Sequence, residues 1–375
     1  MPDFIKINKP AYNKIRVLIA PLDWGLGHST RCIPIIKKLL NADYEVIIAS
    51  EKAQMQLLKD EFPSLVFLSL PGYRLKYGTK NLSTVLKIIL QIPKILIQIN
   101  RENKWLNGIL RQENIDIIIS DNRYGLYSRK IISVFLTHQL YIKTVFGKTV
   151  ERKLQQLNYK YINQFSVCWV PDFENDNMLA GELSHPKIFP KIPVQYIGPL
   201  SRFEKKKPAI IYKLLILLSG PEPQRTILEN IFLDELKFYE EKTILIRGLP
   251  GEKNVIKASS DIEIHNHLSS SELNIIICHS EIVICRSGYS TIMDLARLGK
   301  NSIMIPTPGQ TEQEYLADYL SQKKLAMKIN QNDFSLREAL EAFAEFSFRK
   351  YEEEENQLLD AAINKLTEQF HASKK

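Results

Sequence analysis

A chain of 375 residues is too long for one ordinary hydrophobic core and suits two domains of roughly 150 to 200 residues each. Its composition, 45% hydrophobic and 25% charged, is that of a soluble globular protein. Fifty basic residues against 42 acidic ones leave a net charge of +8, which favours anionic partners such as nucleotide phosphates and lipid head groups. No stretch reads as an RNA- or DNA-binding module, so nucleic acid is not expected as a partner. The polar stretch Met1 to Lys14 lacks the apolar core of a secretory signal, giving the expectation of a cytoplasmic protein. Cysteines 32, 168, 278 and 285 show no C-x-x-C spacing and read as buried, reduced thiols.

In chain order, the apolar run Ile15 to Ala20 predicts a strand, and Gly25 and Gly27 punctuate the loop leading into a helix. That helix buries Ile33, Ile36, Leu39 and Leu40 at helical spacing and tolerates Pro34 because the proline falls in its first turn. G-x-G alone is a weak sign, since the third glycine and the downstream acidic residue of a dinucleotide fingerprint are missing. Strands are then expected at Glu45 to Ala49 and Leu65 to Leu68, with a helix from Lys52 to Asp60 between them. A long apolar helix follows from Leu82 to Ile99, carrying one narrow polar stripe that includes Lys87 and Lys94, with Pro93 as a site of bending. Two lysines so placed argue against a transmembrane span.

The strand Ile115 to Ser120 delivers Asp121 at its C-terminal end, and Ser133 to Leu136 delivers His138. Polar clusters at neighbouring strand ends define a cleft, making Asp121 and His138 candidates for a general base. Each also has a purely structural reading: Asp121 as a cap of the next helix, His138 as a buried histidine. A helix over Thr149 to Asn163 and a strand over Val167 to Val170 lead to Asp172 and Glu174, which read as a strand-end turn because a single acidic pair is a poor metal site.

Pro, Gly and charge interrupt the pattern from Gly198 to Pro208, dividing the chain into residues 1–200 and 209–375. The second half restarts with the strand Lys213 to Leu218 and the loop Ser219, Gly220, Pro221, Glu222, Pro223, Gln224, Arg225. Strands are expected at Thr243 to Ile246, Ile262 to Ile264, Ile282 to Cys285, Ser302 to Ile305 and Ala326 to Ile329, with Gly299 stopping the helix between two of them. His265 and His267 read as a strand-end loop rather than a metal site. The unit from Cys285 to Tyr315 is βαβ, and its ligand-facing edge offers Arg286, Ser287, Gly288, Asp294, Gln310, Thr311, Gln313 and Glu314. One cation, small residues allowing close approach, a carboxylate one turn into a helix and a cluster of amides suit a sugar nucleotide.

The run Arg-Ser-Gly, an acidic residue six positions after that glycine, and Pro-x-Pro-Gly-Gln-x-Glu-Gln resemble the donor-binding half of inverting GT-B glycosyltransferases. Gly-Leu-Gly-His followed by Arg31 resembles the first loop of the same group, that of the peptidoglycan-precursor N-acetylglucosaminyltransferases of glycosyltransferase family 28. The resemblance implies an α/β GT-B fold of two Rossmann-like domains with parallel sheets facing across a cleft, an acceptor domain preceding a donor domain, and a last helix returning to the first domain. It implies that His28 faces the donor, that Asp294 holds the ribose, and that Gln313 and Glu314 contact the sugar. In the family the loop at Ser219 and Gly220 is glycine-rich and meets the pyrophosphate; here Pro221 and Pro223 each remove a donor N–H, and Arg225 is the residue that would replace them with charge. The expected activity is metal-independent transfer, without cofactor, from a UDP-sugar to an acceptor that extends to lipid-linked ones at the inner face of an anionic membrane. Hydrolysis of a nucleotide sugar and non-catalytic nucleotide-sugar binding are the competing readings.

Overall fold

The computed structural model describes residues 14–73, 92–254, 256, 260–351 and 357–374. Two sheets organise it, both wholly parallel. The first contains β1 (Arg16–Ala20), β2 (Glu45–Ser50), β3 (Val66–Ser69), β4 (Ile117–Asp121), β5 (Ile132–Leu136), β6 (Val167–Val170) and β7 (Val194–Tyr196) in the order β3-β2-β1-β4-β5-β6-β7. The second contains β8 (Tyr212–Leu217), β9 (Thr243–Ile246), β10 (Ile262–His265), β11 (Ser280–Cys285), β12 (Ser302–Met304) and β13 (Met327–Lys328) in the order β10-β9-β8-β11-β12-β13. Each order reverses beside its first strand, the doubly wound arrangement whose switch point opens a crevice at the C-terminal strand ends.

The helices are α1 (Gly27–Asn41), α2 (Lys52–Glu61), α3 (Ile92–Gln112), α4 (Lys148–Ile162), α5 (Gln224–Glu235), α6 (Ser270–His279), α7 (Tyr289–Leu298), α8 (Thr311–Gln322), α9 (Leu336–Glu345) and α10 (Gln357–Ser373). They cover both faces of each sheet, and so the strands are continuous apolar runs rather than alternating ones. In β1, Val17 and Ile19 join one core while Leu18 joins the core on the opposite face. Trp169 of β6 is fully buried in the larger core, which continues from the first sheet into the second half through Tyr289, Leu316 and Leu359. α10 lies on α1, where Lys38 meets Asp360 at 2.7 Å and Tyr44 bonds Thr367.

Several expectations shift. α3 continues to Gln112 instead of ending at Ile99; its polar residues Asn103 and Asn107 sit on the solvent side or bond neighbouring backbone, so they do not interrupt it. The expected stretch from Leu82 to Gln91 lies outside the described residues, as does the glutamate run at 352–355. Helix α6 was not anticipated, although Ser269 and Glu272 form a complete capping box at its start. The three-residue edge strand β7 is too short to show a period. Gly299 ends α7 with φ 64°, a left-handed conformation that glycine adopts without penalty.

Candidate active site in the cleft between the sheets

The two sheets direct their C-terminal strand ends at one another, and the chain meets itself there at helix starts. Gly27 opens α1 and Ser290 lies in the first turn of α7; the Ser290 hydroxyl donates to the Gly27 carbonyl at 3.1 Å. A Cβ on Gly27 would stand 2.7 Å from that hydroxyl, so the close approach needs the glycine.

One turn of α1 places His28 and Arg31 on a common face, as residues three apart on a helix must be. Both reach Asp121 at the end of β4. Arg31 grips the carboxylate with Nε, 3.0 Å from Oδ2, and with Nη2 on Oδ1. His28 Nδ1 lies 2.9 Å from Oδ2. Burial alone would raise the Asp121 carboxyl, but Arg31 and His28 outweigh it and hold the group at about 2. A carboxylate only accepts, so in the tautomer that satisfies Asp121 the Nδ1 proton points at it and Nε2 keeps its lone pair, with the donor-only Arg31 Nη2 facing a protonated Nδ1. Burial lowers the affinity of His28 for a second proton; Asp121 opposes this, but Arg31, with Nη2 2.9 Å from Nδ1, reinforces it. The result is a neutral, oriented imidazole.

His138, just beyond β5, extends the cluster. Its Nδ1 accepts from Arg31 Nη1 at 3.2 Å, which puts the proton on Nε2, and Nε2 donates to Glu312 Oε1 at 2.8 Å. The ring stacks on Tyr289 at 4.2 Å. Glu312 belongs to the first turn of α8, so a continuous polar chain runs from the second half through His138 and Arg31 to Asp121 and His28. Burial pushes the Glu312 carboxyl up, but His138 and Arg31 override it and the group is lowered.

Glu312 is the site residue that sequence reasoning passed over while naming its neighbours. The missing signal is helical phase: Glu312, Tyr315 and Tyr319 recur on one face of α8 and all meet the first half, with Tyr315 accepting from Glu182 N at 2.8 Å and Tyr319 donating to the Met178 carbonyl at 3.2 Å. Thr311 joins that contact by donating to the Lys143 carbonyl. Gln313 and Glu314 turn the other way and brace their own loop, accepting from Thr307 N and Gly309 N at 2.9 and 2.8 Å. Gln310 is the N-cap position of α8.

Both arginines expected to face a phosphate are engaged by protein groups in this structure. Arg225 is held inside its own helix start by Glu222 at 2.5 Å and Glu229 at 3.0 Å. Arg286 is buried, its Nη1 and Nη2 donating to the carbonyls of Ile305, Pro306 and Gln224 and to Gln331 while its buried Nε meets no acceptor, and burial depresses it to about 10. Both guanidiniums tie strand ends to loops. Ser287 bonds the Gln313 carbonyl at 2.8 Å, and Gly288 is the N-cap of α7, with no side chain capping it. Gly25 takes φ 71°, and Ser219 and Gly220 are exposed, Gly220 with φ 106°. Asp294, on α7, accepts from the Ser201 hydroxyl at 2.6 Å; burial raises it to about 6, with Ser201 and Arg202 pulling the other way.

His28, Arg31, His138, Tyr289 and Glu312 close one end of a cavity of about 490 Å³, otherwise walled mainly by apolar residues of α3 and α4. Among the described residues no helix is long and apolar enough to cross a membrane.

Residues 224–370 match the family described as the glycosyltransferase family 28 C-terminal domain. The chain is 31% identical over 145 residues to a UDP-N-acetylglucosamine–N-acetylmuramyl-(pentapeptide) pyrophosphoryl-undecaprenol N-acetylglucosamine transferase of Prochlorococcus marinus subsp. pastoris, a match covering 36% of this chain and 39% of that relative. An enzyme of the same description from Buchnera aphidicola subsp. Schizaphis graminum is 23% identical over 86% of this chain and 87% of its own. Among solved structures, the glycotransferase of kitacinnamycin superposes with a TM-score of 0.62 at 13% identity, covering 97% of this chain and 98% of that one. With a doubly wound sheet on each side of the cleft the chain has the GT-B fold, and its second half, over residues 224–370, is similar to the glycosyltransferase family 28 C-terminal domain.

Proposed function

We propose that the protein is an inverting glycosyltransferase that moves a sugar, N-acetylglucosamine first among the candidates, from a UDP-sugar to the hydroxyl of a lipid-borne acceptor without a metal ion. The observation that carries this reading is the neutral His28, held by Asp121, at the end of the cavity and beside the start of α7. The acceptor hydroxyl gives its proton to His28 Nε2 while its oxygen attacks the anomeric carbon. The bond from that carbon to the diphosphate breaks on the opposite face, and its electron pair leaves with UDP. A single displacement of this kind inverts the anomeric centre.

The departing charge needs donors that are already in place. The first N–H groups of α7 have no partner within the helix, and its positive dipole end is turned to the cleft, which supplies donors for that charge. Asp294 is assigned to the ribose hydroxyls, and Gln313 and Glu314 to the sugar, on the match of their spacing to the family. The sugar named for the relatives, and of their acceptor only its lipid character, are carried to this chain as part of the proposal. The size of the cavity favours transfer over hydrolysis, since water as acceptor requires no such space.

The test is consumption of UDP-N-acetylglucosamine with and without lipid extract, in the presence of EDTA, with the anomeric configuration of the product read by NMR. Extract-dependent consumption giving the inverted product is expected. Consumption equal in both arms would establish hydrolysis instead.

A further inference from the structure

The wall of the cavity, rather than its catalytic end, speaks to the acceptor. Ile95, Leu96 and Ile99 line it from α3, and Val150, Leu154 and Leu157 line it from α4, each set recurring on one helical face. At about 490 Å³ the space falls in the range that buries most of a drug-sized molecule. Among the described residues the cations at its edge are matched to carboxylates: Arg31 to Asp121, and Lys143 to Glu182 at 2.5 Å. Two polar side chains within the wall are spent on protein partners, Tyr124 donating to Asn158 Oδ1 at 2.9 Å and Asn158 donating to the Gln139 carbonyl at 3.1 Å. Glu312 adds a negative charge at the catalytic end, 2.8 Å from His138 Nε2.

We infer that the acceptor is an uncharged apolar alcohol, its hydroxyl carried directly on the body that fills the cavity. This rests on the transfer reading above and names its acceptor class. An acceptor with a phosphate or diphosphate close to the accepting hydroxyl would bury that charge among aliphatic side chains and next to a carboxylate, at a cost its own apolar part could not recover. In the reaction the alcohol O–H bond breaks, its proton goes to His28 Nε2, its oxygen bonds the anomeric carbon, and UDP takes the released pair.

The probe is farnesol against farnesyl phosphate, which share an apolar body and differ in charge. Each is titrated, without any donor, against N-phenyl-1-naphthylamine bound to the full chain, and displacement is followed by fluorescence. Farnesol is expected to displace the dye at a concentration at least tenfold lower than farnesyl phosphate. Leu154→Asp should weaken farnesol at least tenfold, and Leu154→Trp should do the same by filling the space, with thermal unfolding midpoints near that of the parent protein. Equal or tighter binding of farnesyl phosphate, no displacement by either, or full farnesol binding by both variants would overturn the assignment. Because no donor is present, a failure of sugar transfer leaves this outcome readable by itself.

Discussion

At the residue scale, the site is a set of charges and tautomers that hold one another. Asp121 is assigned to orienting His28 in the proposed reaction, because Arg31 and His28 already engage both of its carboxylate oxygens. His28→Ala is therefore expected to lower turnover by about 10² to 10⁴, the usual worth of a positioned general base, while UDP-sugar affinity stays within about threefold. Steady-state kinetics beside calorimetry checks this; equal losses in both would make His28 a binding residue. The pH profile follows from sign. His28 works when neutral, and its affinity for a proton is lowered, so kcat/KM should hold through the ordinary histidine range and fall only at lower pH. An acid limb at or above pH 6.5 would contradict that environment. Asp294 has the opposite character: raised from 3.8 to about 6, its ionised form is disfavoured by the fold. Between those values the native chain binds the proton more readily than the unfolded one, so stability falls as pH rises through the window. Asp294→Asn should then gain on the order of 1 kcal/mol at pH 7, a figure reduced for partial exposure, with the gain fading toward pH 4. The same change should weaken UDP binding by about 1.5 to 3 kcal/mol, the worth of a charge-assisted hydrogen bond. Urea unfolding at both pH values, with calorimetry, reads both effects.

At the scale of elements, α3 is the piece whose placement the cavity depends on. It is pinned by a buried pair, Arg123 to Glu102 at 2.8 Å, with Tyr73 and the Gly125 N–H also donating to Glu102. Gly125 permits this because a Cβ there would stand 2.2 Å from the Ile99 carbonyl, a backbone atom that cannot rotate away. Gly125→Ala is expected to displace α3 and cost about 2 kcal/mol or more. Denaturant unfolding measures the loss, and reduced binding of an apolar dye should accompany it; an unchanged midpoint would show that the helix is free to shift. α8 makes a contrasting case, with one face binding the opposite half through Glu312, Tyr315 and Tyr319 while Gln313 and Glu314 hold its own loop.

For the whole molecule, four exposed apolar residues stand at or beside the cavity: Trp24 and Phe146 line it, 38% and 40% exposed, while Ile97 and Val145, next to lining residues in the chain, are each 53% exposed. With a net charge of +8, this rim suits an anionic bilayer. Sedimentation with anionic but not neutral liposomes is expected, weakened by salt and by Ile97→Glu with Phe146→Glu; indifference to lipid charge and to the double change would point to a soluble acceptor. Two halves of α/β type were legible from the sequence because buried parallel strands are continuous apolar runs and because Gly299 and the Gly198 to Pro208 break mark where elements stop. His28, Asp121 and His138 could be named separately, since each stands at a strand end or helix start. That they form one chain with Arg31 and Glu312 could not be read, because the contacts span up to 174 positions and depend on how one half sits against the other. The same limit applies to Arg225 and Arg286: only the packed structure shows Arg225 bonded to Glu222 and Glu229, and the Nη1 of Arg286 bonded to the carbonyls of Ile305 and Pro306. Local pattern determined the strands other than β7, the stop of α7 at Gly299 and the placing of polar residues at strand ends. Tertiary packing alone decided which of those residues hold one another, because a partner's distance is set by the fold and not by its spacing along the chain.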